Sequence, residues 1–270
     1  MGRPCFPIAC ISVRGRSGSD GVWGDRGRGW EWHVPKRFVF RQVCSRDLQT
    51  FLTDGEIRAK NHCHPQRLHQ TSYENIVASR GTPMFLLPHG GVVNDYVPFY
   101  FSPLTGFTFT ISRGNVDLRD PANTVLGKAS DDERIFFVCA VEAFANTNLQ
   151  YCFSDLALNT AAPMPKLEAS IANLETHVAW PMFDDVPMKA QIPEIEYGGV
   201  CEYFASRASP QKYQNRSKQR MAEFLVKDAV PLSLVDCIVT KDQGMKHQLQ
   251  LLMDASQWNI PILDKPGCFF

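Results

Sequence analysis

Glu223 is an acidic residue near the start of an apolar segment, and this placement needs a chemical explanation. It lies in "AEFLV" (222–226), a short apolar run that predicts a buried strand. A carboxylate in such a strand costs several kcal/mol unless it is paired, hydrogen bonded or turned toward a wet cleft. Two interpretations are open: an ion pair with Arg216 or Arg220, or a carboxylate that faces a functional site.

A second segment concentrates aromatic rings. Residues 88–106, "PHGGVVNDYVPFYFSPLTG", place Tyr96, Phe99, Tyr100 and Phe101 within six positions. Aromatic residues this dense form either a wall of the hydrophobic core or a stacking surface for planar rings such as nucleobases. The sequence of this segment alone leaves both interpretations open.

Composition limits the classes of protein that the sequence can represent. No apolar run approaches the ~20 residues that span a bilayer, so no membrane segment is predicted. The formal net charge is zero, so a polyanionic partner would have to bind a local basic patch. The nine cysteines include no CxxC pair, which is typical of reduced thiols in the cytoplasm. "HCH" at 62–64, even with His69, lacks a second ligand pair, and no metal is expected.

Residues 1–37 are predicted to form an N-terminal tail, and residues 38–270 a single domain. The tail holds seven of the eighteen glycines and shows neither the strand period nor the helix period. A disordered or mis-started N-terminus is one interpretation, and a basic arm that touches nucleic acid is the other. The apolar part of the tail is too short and too broken by proline to be a signal peptide.

The domain reads as a mixture of strands and helices in which antiparallel strands dominate, which makes it α+β. One helix is predicted in "SRDLQTFLTDG", with Ser45 as N-cap and Gly55 as stop, and another in "QGMKHQLQLLMDAS". Strands are predicted in the following segments: "RFVFRQV", "YVPFYFSP", "FTFTIS", "RIFFVCAV", "LQYCFS", "AEFLV", "CIVT" and "PILD".

Two segments, "NDYVPFYFSP" (94–103) and "RMAEFLVKDAVPLSLV" (220–235), resemble the signature segments of a known family. This is the DarT family, the toxins of DarT–DarG toxin–antitoxin pairs, whose members attach ADP-ribose from NAD to bases in single-stranded DNA. Looser similarity covers residues 38–270 and includes "YENIVASRG" and "FSDLALN". Residues 1–37 lie outside the resemblance.

The resemblance implies an ADP-ribosyltransferase fold, with two small, mainly antiparallel sheets around an NAD cleft. Glu223 matches the glutamate that holds the ribose hydroxyls at the nicotinamide end of NAD and stabilises positive charge as nicotinamide leaves, an effect of roughly 3 kcal/mol or more. Arg80 matches the arginine assigned to stabilising the transition state and assisting deprotonation of the base. Because arginine is normally charged, guiding phosphate through a bidentate fork is the chemically easier role.

The resemblance also assigns contacts to NAD, which acts as the ADP-ribose donor substrate. The expected contacts lie on the opening strand, at Arg41, Gln42 and Val43, together with Arg80. Lys60, Arg67 and His69 are either neighbours of the pyrophosphate or part of a solvated loop. No GxGxxG follows a strand, so a Rossmann site is not expected.

The basic and aromatic segment "KYQNRSKQR" (212–220) is the predicted acceptor site. Its mixture of basic and aromatic residues fits a groove that binds single-stranded nucleic acid, although a solvated helix face has the same composition. Single-stranded DNA presents its bases unpaired, which lowers the energetic cost of reaching one. The residues expected to contact DNA are Tyr96, Tyr100, Arg216, Lys218 and Arg220.

The expected partners are single-stranded DNA and a cognate antitoxin, such as a DarG-like macrodomain protein, in the cytoplasm. Two alternatives stay open. One is an ADP-ribosyltransferase that acts on RNA or protein, and the other is a non-catalytic nucleic-acid-binding module of the same fold.

Overall fold

The computed structural model describes residues 35–159 and 162–270. One compact unit runs from Pro35 to Phe270, and residues 1–34 of the predicted tail lie outside the described residues. Arg37, by contrast, belongs to the unit. It is 9% exposed, donates four hydrogen bonds of 2.9–3.0 Å to Glu175 and Asp184, and lies 3.6 Å from the ring centroid of Trp180. The folded unit therefore begins slightly before the predicted boundary at residue 38.

The secondary structure consists of short strands and short helices. The strands are β1 (Phe38–Cys44), β2 (Glu56–Arg58), β3 (Tyr96–Tyr100), β4 (Asp117–Arg119), β5 (Val125–Lys128), β6 (Arg134–Ala140), β7 (Tyr151–Ser154), β8 (Leu167–Glu168), β9 (Met188–Lys189), β10 (Val200–Cys201), β11 (Glu223–Lys227), β12 (Ala229–Pro231), β13 (Cys237–Thr240) and β14 (Ile262–Asp264). The helices are α1 (Leu48–Asp54), α2 (Glu74–Arg80), α3 (Gly106–Ser112), α4 (Val141–Ala145), α5 (Leu174–His177), α6 (Arg216–Gln219) and α7 (Gln243–Asp254). Among the described residues, no helix has both the length and the apolar character needed to cross a membrane.

Eight strands form one sheet in the order β14-β13-β6-β1-β3-β11-β7-β8, and only β13 and β14 pair in parallel. The predicted α+β class with dominant antiparallel pairing is confirmed. The two small sheets expected from the resemblance are instead two four-stranded halves of this sheet. They meet at β1 and β3, which are in register only at Phe40 and Tyr100, whereas β1 and β6 pair over their full length.

Pro98 explains why β1 and β3 pair so little. Proline has no backbone N–H. In an antiparallel sheet, the N–H and the C=O of one residue point toward the same neighbouring strand. The Pro98 carbonyl faces β1, where it accepts a hydrogen bond of 3.2 Å from Arg41 Nη1. The missing N–H therefore lies at the junction of the two halves, which opens into the cavity described below.

The core packs around the centre of the sheet. Its largest fully buried apolar side chains are Phe38, Phe40, Phe51, Phe99, Phe101, Phe136, Phe137, Phe144 and Phe153. Helix α7 packs Met245, Leu249 and Met253 into the same cluster, as its helical spacing predicts. The core thus fixes the central strands that carry the site.

Most of the predicted elements are present, with one clear exception. The predicted strand "FTFTIS" is helix α3. Thr105 and Thr108 form a reciprocal capping box with hydrogen bonds of 2.8 and 3.1 Å, which favours a helix over the strand suggested by the alternating sequence. Gly55 ends α1 with φ +75°, as predicted, but Ser45 makes no side-chain cap and lies in a short 3-10 turn before α1.

Candidate active site

A cavity of about 870 Å³ opens at the junction between the two halves of the sheet, a size typical of ligand pockets. Strand β1 forms one wall, and the segment that ends in α2 forms another. Strands β3 and β11 contribute their ends, at Tyr100 and Glu223. We refer to this space as the Arg80–Glu223 cavity.

Glu223 and Arg80 form a bidentate ion pair inside this cavity. Arg80 Nη1 donates to Glu223 Oε1 at 2.9 Å, and Arg80 Nη2 donates to Glu223 Oε2 at 2.7 Å. Glu223 is the first residue of β11, and Arg80 is the last residue of α2. The ion-pair partner expected from the sequence, Arg216 or Arg220, is therefore wrong, although both interpretations of Glu223 hold in part: the carboxylate is paired, and it faces a cleft.

Backbone and side-chain contacts fix the Glu223 carboxylate in place. The side chain is 2% exposed, and Leu158 N–H donates to its Oε1 at 3.3 Å. Its own backbone N–H donates to Ser154 Oγ at 2.9 Å. A buried charge is tolerated only with such compensation, so these contacts preorganise the carboxylate.

Two guanidinium groups are influenced by this one carboxylate: Arg80 through the ion pair, and Arg41 through charge alone. Burial lowers the pKa of Arg80, but the Glu223 carboxylate more than offsets this and leaves the pKa above its ordinary value. Burial, followed by the like charge of Arg80, lowers the pKa of Arg41 to about 10. Both arginines therefore stay protonated at neutral pH, which disfavours a role for Arg80 as a base. The excess of positive charge suits an anionic ligand such as a pyrophosphate.

Tyr100 lies directly opposite Glu223 in the register of β3 and β11 and lines the cavity. Burial, and then the nearby Glu223 carboxylate, raise the pKa of its hydroxyl. The phenol therefore stays protonated, so its ring and O–H are the groups that Tyr100 presents beside the ion pair.

Polar atoms on β1 lack partners within residues 35–159 and 162–270. Arg41 Nε and Gln42 Oε1 are buried and make no hydrogen bond there. Both residues line the cavity, as does Val43, which is 8% exposed. A buried unpaired donor and acceptor are costly unless a ligand satisfies them. The opening strand therefore lines the cavity with the three residues expected to contact NAD, two of which are polar.

The segment that ends in α2 also carries a histidine fixed by a buried carboxylate. His69 Nδ1 lies 2.7 Å from Asp47 Oδ1, and its backbone N–H donates to Asp47 Oδ2 at 2.9 Å. Lys60 and Arg67, which line the same wall, are exposed. The three residues expected near the pyrophosphate thus line one cavity with Arg80 and Glu223.

His69 also belongs to a cluster with metal-ligand chemistry, together with Cys44 and Asp47, whose ligand atoms lie within 4.8 Å of one another. His69 is thus paired with Asp47 rather than with the "HCH" run. Burial raises the pKa of the Cys44 thiol to about 11, so at neutral pH this group is not a thiolate. Every cysteine of the described part of the chain is a free thiol.

Three residues expected to contact DNA are buried, so the structure contradicts that expectation. Tyr96 is 1% exposed, and its hydroxyl donates to Gly90 O at 2.7 Å. Arg216 is 1% exposed, pairs with Asp185 and stacks on Tyr213, its Cζ 3.7 Å from the ring centroid. Buried side chains of this kind offer no surface to a DNA strand.

Arg220, the third of these, is fully buried and joins two segments of backbone. Its Nη1 donates to Cys201 O at 2.8 Å and to Tyr203 O at 2.9 Å, and its Nη2 donates to Leu104 O at 2.9 Å and to Ser102 Oγ at 3.1 Å. Burial lowers its pKa to about 10. Arg220 is therefore a structural residue.

Lys218 is half-buried, with its Nζ donating to Ala162 O at 2.6 Å. Of the residues expected to contact DNA, Lys218 and Tyr100 keep partly exposed side chains. The expectation of DNA contact is thus retained for these two only.

Sequence reasoning missed two residues that support the site. Asp47, which is 3% exposed, directs His69 toward the cavity, and Ser154 anchors the backbone of Glu223. Asp47 lies between Arg46 and Leu48 at the start of a helix, where acidic residues are common, so nothing in the sequence marks it as buried. Ser154 lies in "FSDLALN", which the resemblance marks as a segment without assigning a role to the serine.

The family model described as "ssDNA thymidine ADP-ribosyltransferase, DarT" matches residues 40–270. The chain belongs to the DarT family. The resemblance seen in the sequence is thereby confirmed, together with the prediction of an NAD-dependent DNA ADP-ribosyltransferase.

Individual DarT relatives are distant in sequence. A DNA ADP-ribosyl transferase of Thermus sp. (strain 2.9) is 27% identical over 206 residues, which is 75% of this chain and 80% of that protein. A DNA ADP-ribosyl transferase of Thermus aquaticus (strain ATCC BAA-2747 / Y51MC23) is 22% identical over 226 residues, 84% of each chain.

Solved DarT structures share the fold. Thermus sp. 2.9 DarT in complex with ADP-ribosylated ssDNA superposes with a TM-score of 0.68 at 18% identity, covering 88% of this chain and 98% of that chain. The same DarT in complex with NAD+ gives a TM-score of 0.63 at 18% identity, covering 88% and 99%. The ADP-ribosyltransferase fold expected from the sequence is confirmed.

Proposed function

We propose that this chain transfers ADP-ribose from NAD to thymidine in single-stranded DNA, with Glu223 and Arg80 at the reacting centre. The observation that supports it best is their bidentate ion pair inside a cavity of a DarT-family chain. In the reaction, the bond between ribose and nicotinamide breaks, and its electron pair leaves on nicotinamide. An acceptor atom of the base then bonds to the ribose carbon, and the base releases its proton to solvent.

The wall formed by β1 serves the donor substrate. Arg41 and Gln42 line this wall with polar side chains, and NAD offers an amide and hydroxyls as partners for them. Arg41 and Arg80 supply the positive charge that holds the pyrophosphate.

Glu223 acts on the charge that develops during bond cleavage. Its carboxylate, fixed by Leu158 N–H and the backbone anchor at Ser154, stabilises positive charge on the ribose as nicotinamide departs. Because Glu223 binds Arg80 in this structure, entry of the donor must redirect part of that pairing. Arg80 then balances the negative charge of the phosphates and the negative charge that develops on the thymine as it loses its proton.

The biological setting follows from the chemistry. Single-stranded DNA and NAD meet in the cytoplasm, and we place the activity there. A DarTG protein of Thermosipho africanus, solved with ADP-ribose, shares the fold with a TM-score of 0.57 at 14% identity. We propose that a DarG-like macrodomain antitoxin opposes this chain, since an unopposed DNA-modifying enzyme would be toxic.

Mass spectrometry of oligonucleotides tests the proposed function. Incubation with NAD and a single-stranded oligonucleotide that contains one thymidine is expected to add one ADP-ribose. The matched oligonucleotide with cytidine in that position is expected to stay unmodified, as is the RNA of the same sequence. Modification of the RNA or of an added protein, or binding of DNA without turnover of NAD, would contradict the proposal.

Salt dependence of DNA binding tests which cations face the strand. Arg207 and Lys212 are exposed on the segment that precedes Glu223, unlike the buried Arg216. If each neutralises one phosphate, the double variant Arg207→Ala/Lys212→Ala flattens the slope of log affinity against log salt by about 1.4, at roughly 0.7 per contact. Fluorescence anisotropy of a labelled oligonucleotide measures the slope.

Lys246→Ala is the matched control for this measurement. Lys246 lies on α7, which contributes no residue to the lining of the Arg80–Glu223 cavity. The control is expected to keep the wild-type slope. A double variant with an unchanged slope would place the DNA elsewhere on the surface.

A further inference from the structure

Three phenylalanines that the mechanism does not use form a cluster beside the site. The ring centroids of Phe109 and Phe204 are 5.3 Å apart, those of Phe109 and Phe270 5.2 Å, and those of Phe204 and Phe270 5.1 Å. Each ring thus contacts both of the others. We refer to these residues as the phenylalanine cluster.

The phenylalanine cluster is open to solvent on one side. Phe109 is 39% exposed, and Phe204 and Phe270 are half-buried. A single exposed ring needs no explanation, but a contiguous group of aromatic rings at the surface marks an interaction site. Tyr203, which is 42% exposed, extends the aromatic surface along the chain.

The cluster adjoins the Arg80–Glu223 cavity through Met221. A Cβ atom added at Gly106 would lie 3.5 Å from Met221 Sδ and 4.0 Å from the Phe204 ring. Met221 and Phe107 line the cavity, and Met221 precedes Glu223 by two residues. The cluster therefore lies near the part of the cavity wall that Met221 and Phe107 form.

The segments that carry two of the rings are held in place by Arg220. Its guanidinium binds Leu104 O, just before α3 and Phe109, and Tyr203 O, just before Phe204. The capping box at the start of α3 fixes the helix that presents Phe109. The rings are thus positioned before any ligand arrives, which reduces the entropy cost of stacking on them.

Two arginine side chains lie close to the aromatic rings. Arg113 is exposed and lies one helical turn beyond Phe109, on the same side of the helix. The exposed Arg207 stacks on Tyr203, with its Cζ 4.8 Å from the ring centroid. Aromatic faces flanked by arginines are the combination by which proteins bind bases and backbone of a single strand.

We propose that the phenylalanine cluster is a stacking platform for the nucleobase next to the acceptor base in single-stranded DNA. The proposal rests on the proposed function, because it takes the Arg80–Glu223 cavity as the place where the acceptor base reacts. The adjacent base stacks on the exposed ring of Phe109, which Phe204 and Phe270 support at interplanar angles of 42° and 79°, while Arg113 and Arg207 lie near its phosphates. This contact orients the strand without reading its sequence, since every base has an aromatic face.

A binding cycle that combines protein variants with abasic DNA tests the platform. The probes are single-stranded oligonucleotides with one thymidine and either an intact base or an abasic site on its 5′ or 3′ side. For the wild-type protein, the abasic site on one side is expected to weaken binding roughly five- to hundredfold, the range for loss of one stacked base. Fluorescence anisotropy gives the dissociation constants.

Phe109→Leu and Phe204→Leu keep apolar bulk but remove the aromatic face, and Phe109→Tyr keeps it. Both leucine variants are expected to bind the intact oligonucleotide as weakly as the wild type binds the abasic one, with little further loss on the abasic oligonucleotide. Phe109→Tyr is expected to bind like the wild type. Because Phe109 is partly exposed, its leucine variant keeps the test valid if Phe204→Leu fails to fold.

Equal sensitivity of the leucine variants and the wild type to the abasic site would overturn the platform. Unchanged DNA affinity in both leucine variants would overturn it too and would point to a protein as the occupant of the cluster. Failure of the proposed function is a separate result, because it appears as absence of ADP-ribosylated oligonucleotide from the wild type in mass spectrometry, whatever the binding cycle shows.

Discussion

Glu223→Gln is expected to lower the rate of ADP-ribose transfer by at least about a hundredfold, while the affinity for NAD changes by no more than a few fold. The carboxylate charge acts on positive charge that exists only in the transition state, and one well-placed group of this kind contributes about 10²–10³ in rate. Glutamine keeps the shape and one acceptor oxygen for Arg80. Single-turnover kinetics on a thymidine oligonucleotide measure the rate, and calorimetry measures NAD binding.

The same substitution leaves Arg80 buried without a counter-charge, so the free energy of unfolding is expected to fall by about 3 kcal/mol. Activity must therefore be compared well below the melting temperature of the variant. Glu142→Gln, an exposed carboxylate on α4, is the matched control and is expected to behave as wild type. Transfer by Glu223→Gln at a rate close to wild type would refute the mechanism, whereas a large loss of NAD affinity would assign Glu223 to ground-state binding.

Arg220→Leu is expected to lower the free energy of unfolding by about 3–5 kcal/mol. The substitution removes the donors for Cys201 O, Tyr203 O, Leu104 O and Ser102 Oγ, and each buried acceptor left unsatisfied costs about 1–3 kcal/mol before relaxation. Urea unfolding measures the change, which should appear as a lower midpoint with an unchanged slope.

Arg207→Leu provides the comparison for Arg220. Arg207 is exposed, and substitution at such a surface position is expected to change stability by no more than about 0.5 kcal/mol. A loss below about 1 kcal/mol in Arg220→Leu would show that the segments around residues 102–104 and 201–203 hold their positions without it.

The central strands were predictable because their apolar runs are short, β-branched or aromatic, and bounded by polar residues. Strand β11 and the position of Glu223 at its start followed from this pattern. The ion pair with Arg80 could not follow from it, because the two residues are 143 positions apart and no periodicity links such distances. Only the resemblance to DarT pointed to Arg80.

The roles of Arg216 and Arg220 show why a charge run was misinterpreted. Their spacing of four places both on one side of a helical turn, while Lys218 lies on another side. The sequence indicates this shared side but not that it faces inward. Burial of Arg220 depends on carbonyls contributed by residues more than fifteen positions away, and burial of Arg216 depends on Asp185.

The helix α3 illustrates a competition between two local signals. "FTFTIS" alternates polar and apolar residues as a half-buried strand does, but Thr105 and Thr108 supply both halves of a capping box. Once the N-terminus is capped, Ile111 and Thr108 turn toward the core, and Phe109 is left at the surface. A prediction that weighed the cap above the alternation would have found the helix.

The junction at Pro98 means that the cavity depends on a backbone atom as much as on side chains. Every amino acid other than proline brings an N–H to this position, on the same side as the carbonyl that faces β1. The constraint on residue 98 is therefore the missing backbone N–H of proline, and we expect its replacement to narrow the opening without touching the ion pair. Pro98 lines the cavity, and it acts on the width of the opening through the main chain rather than through a functional side-chain group.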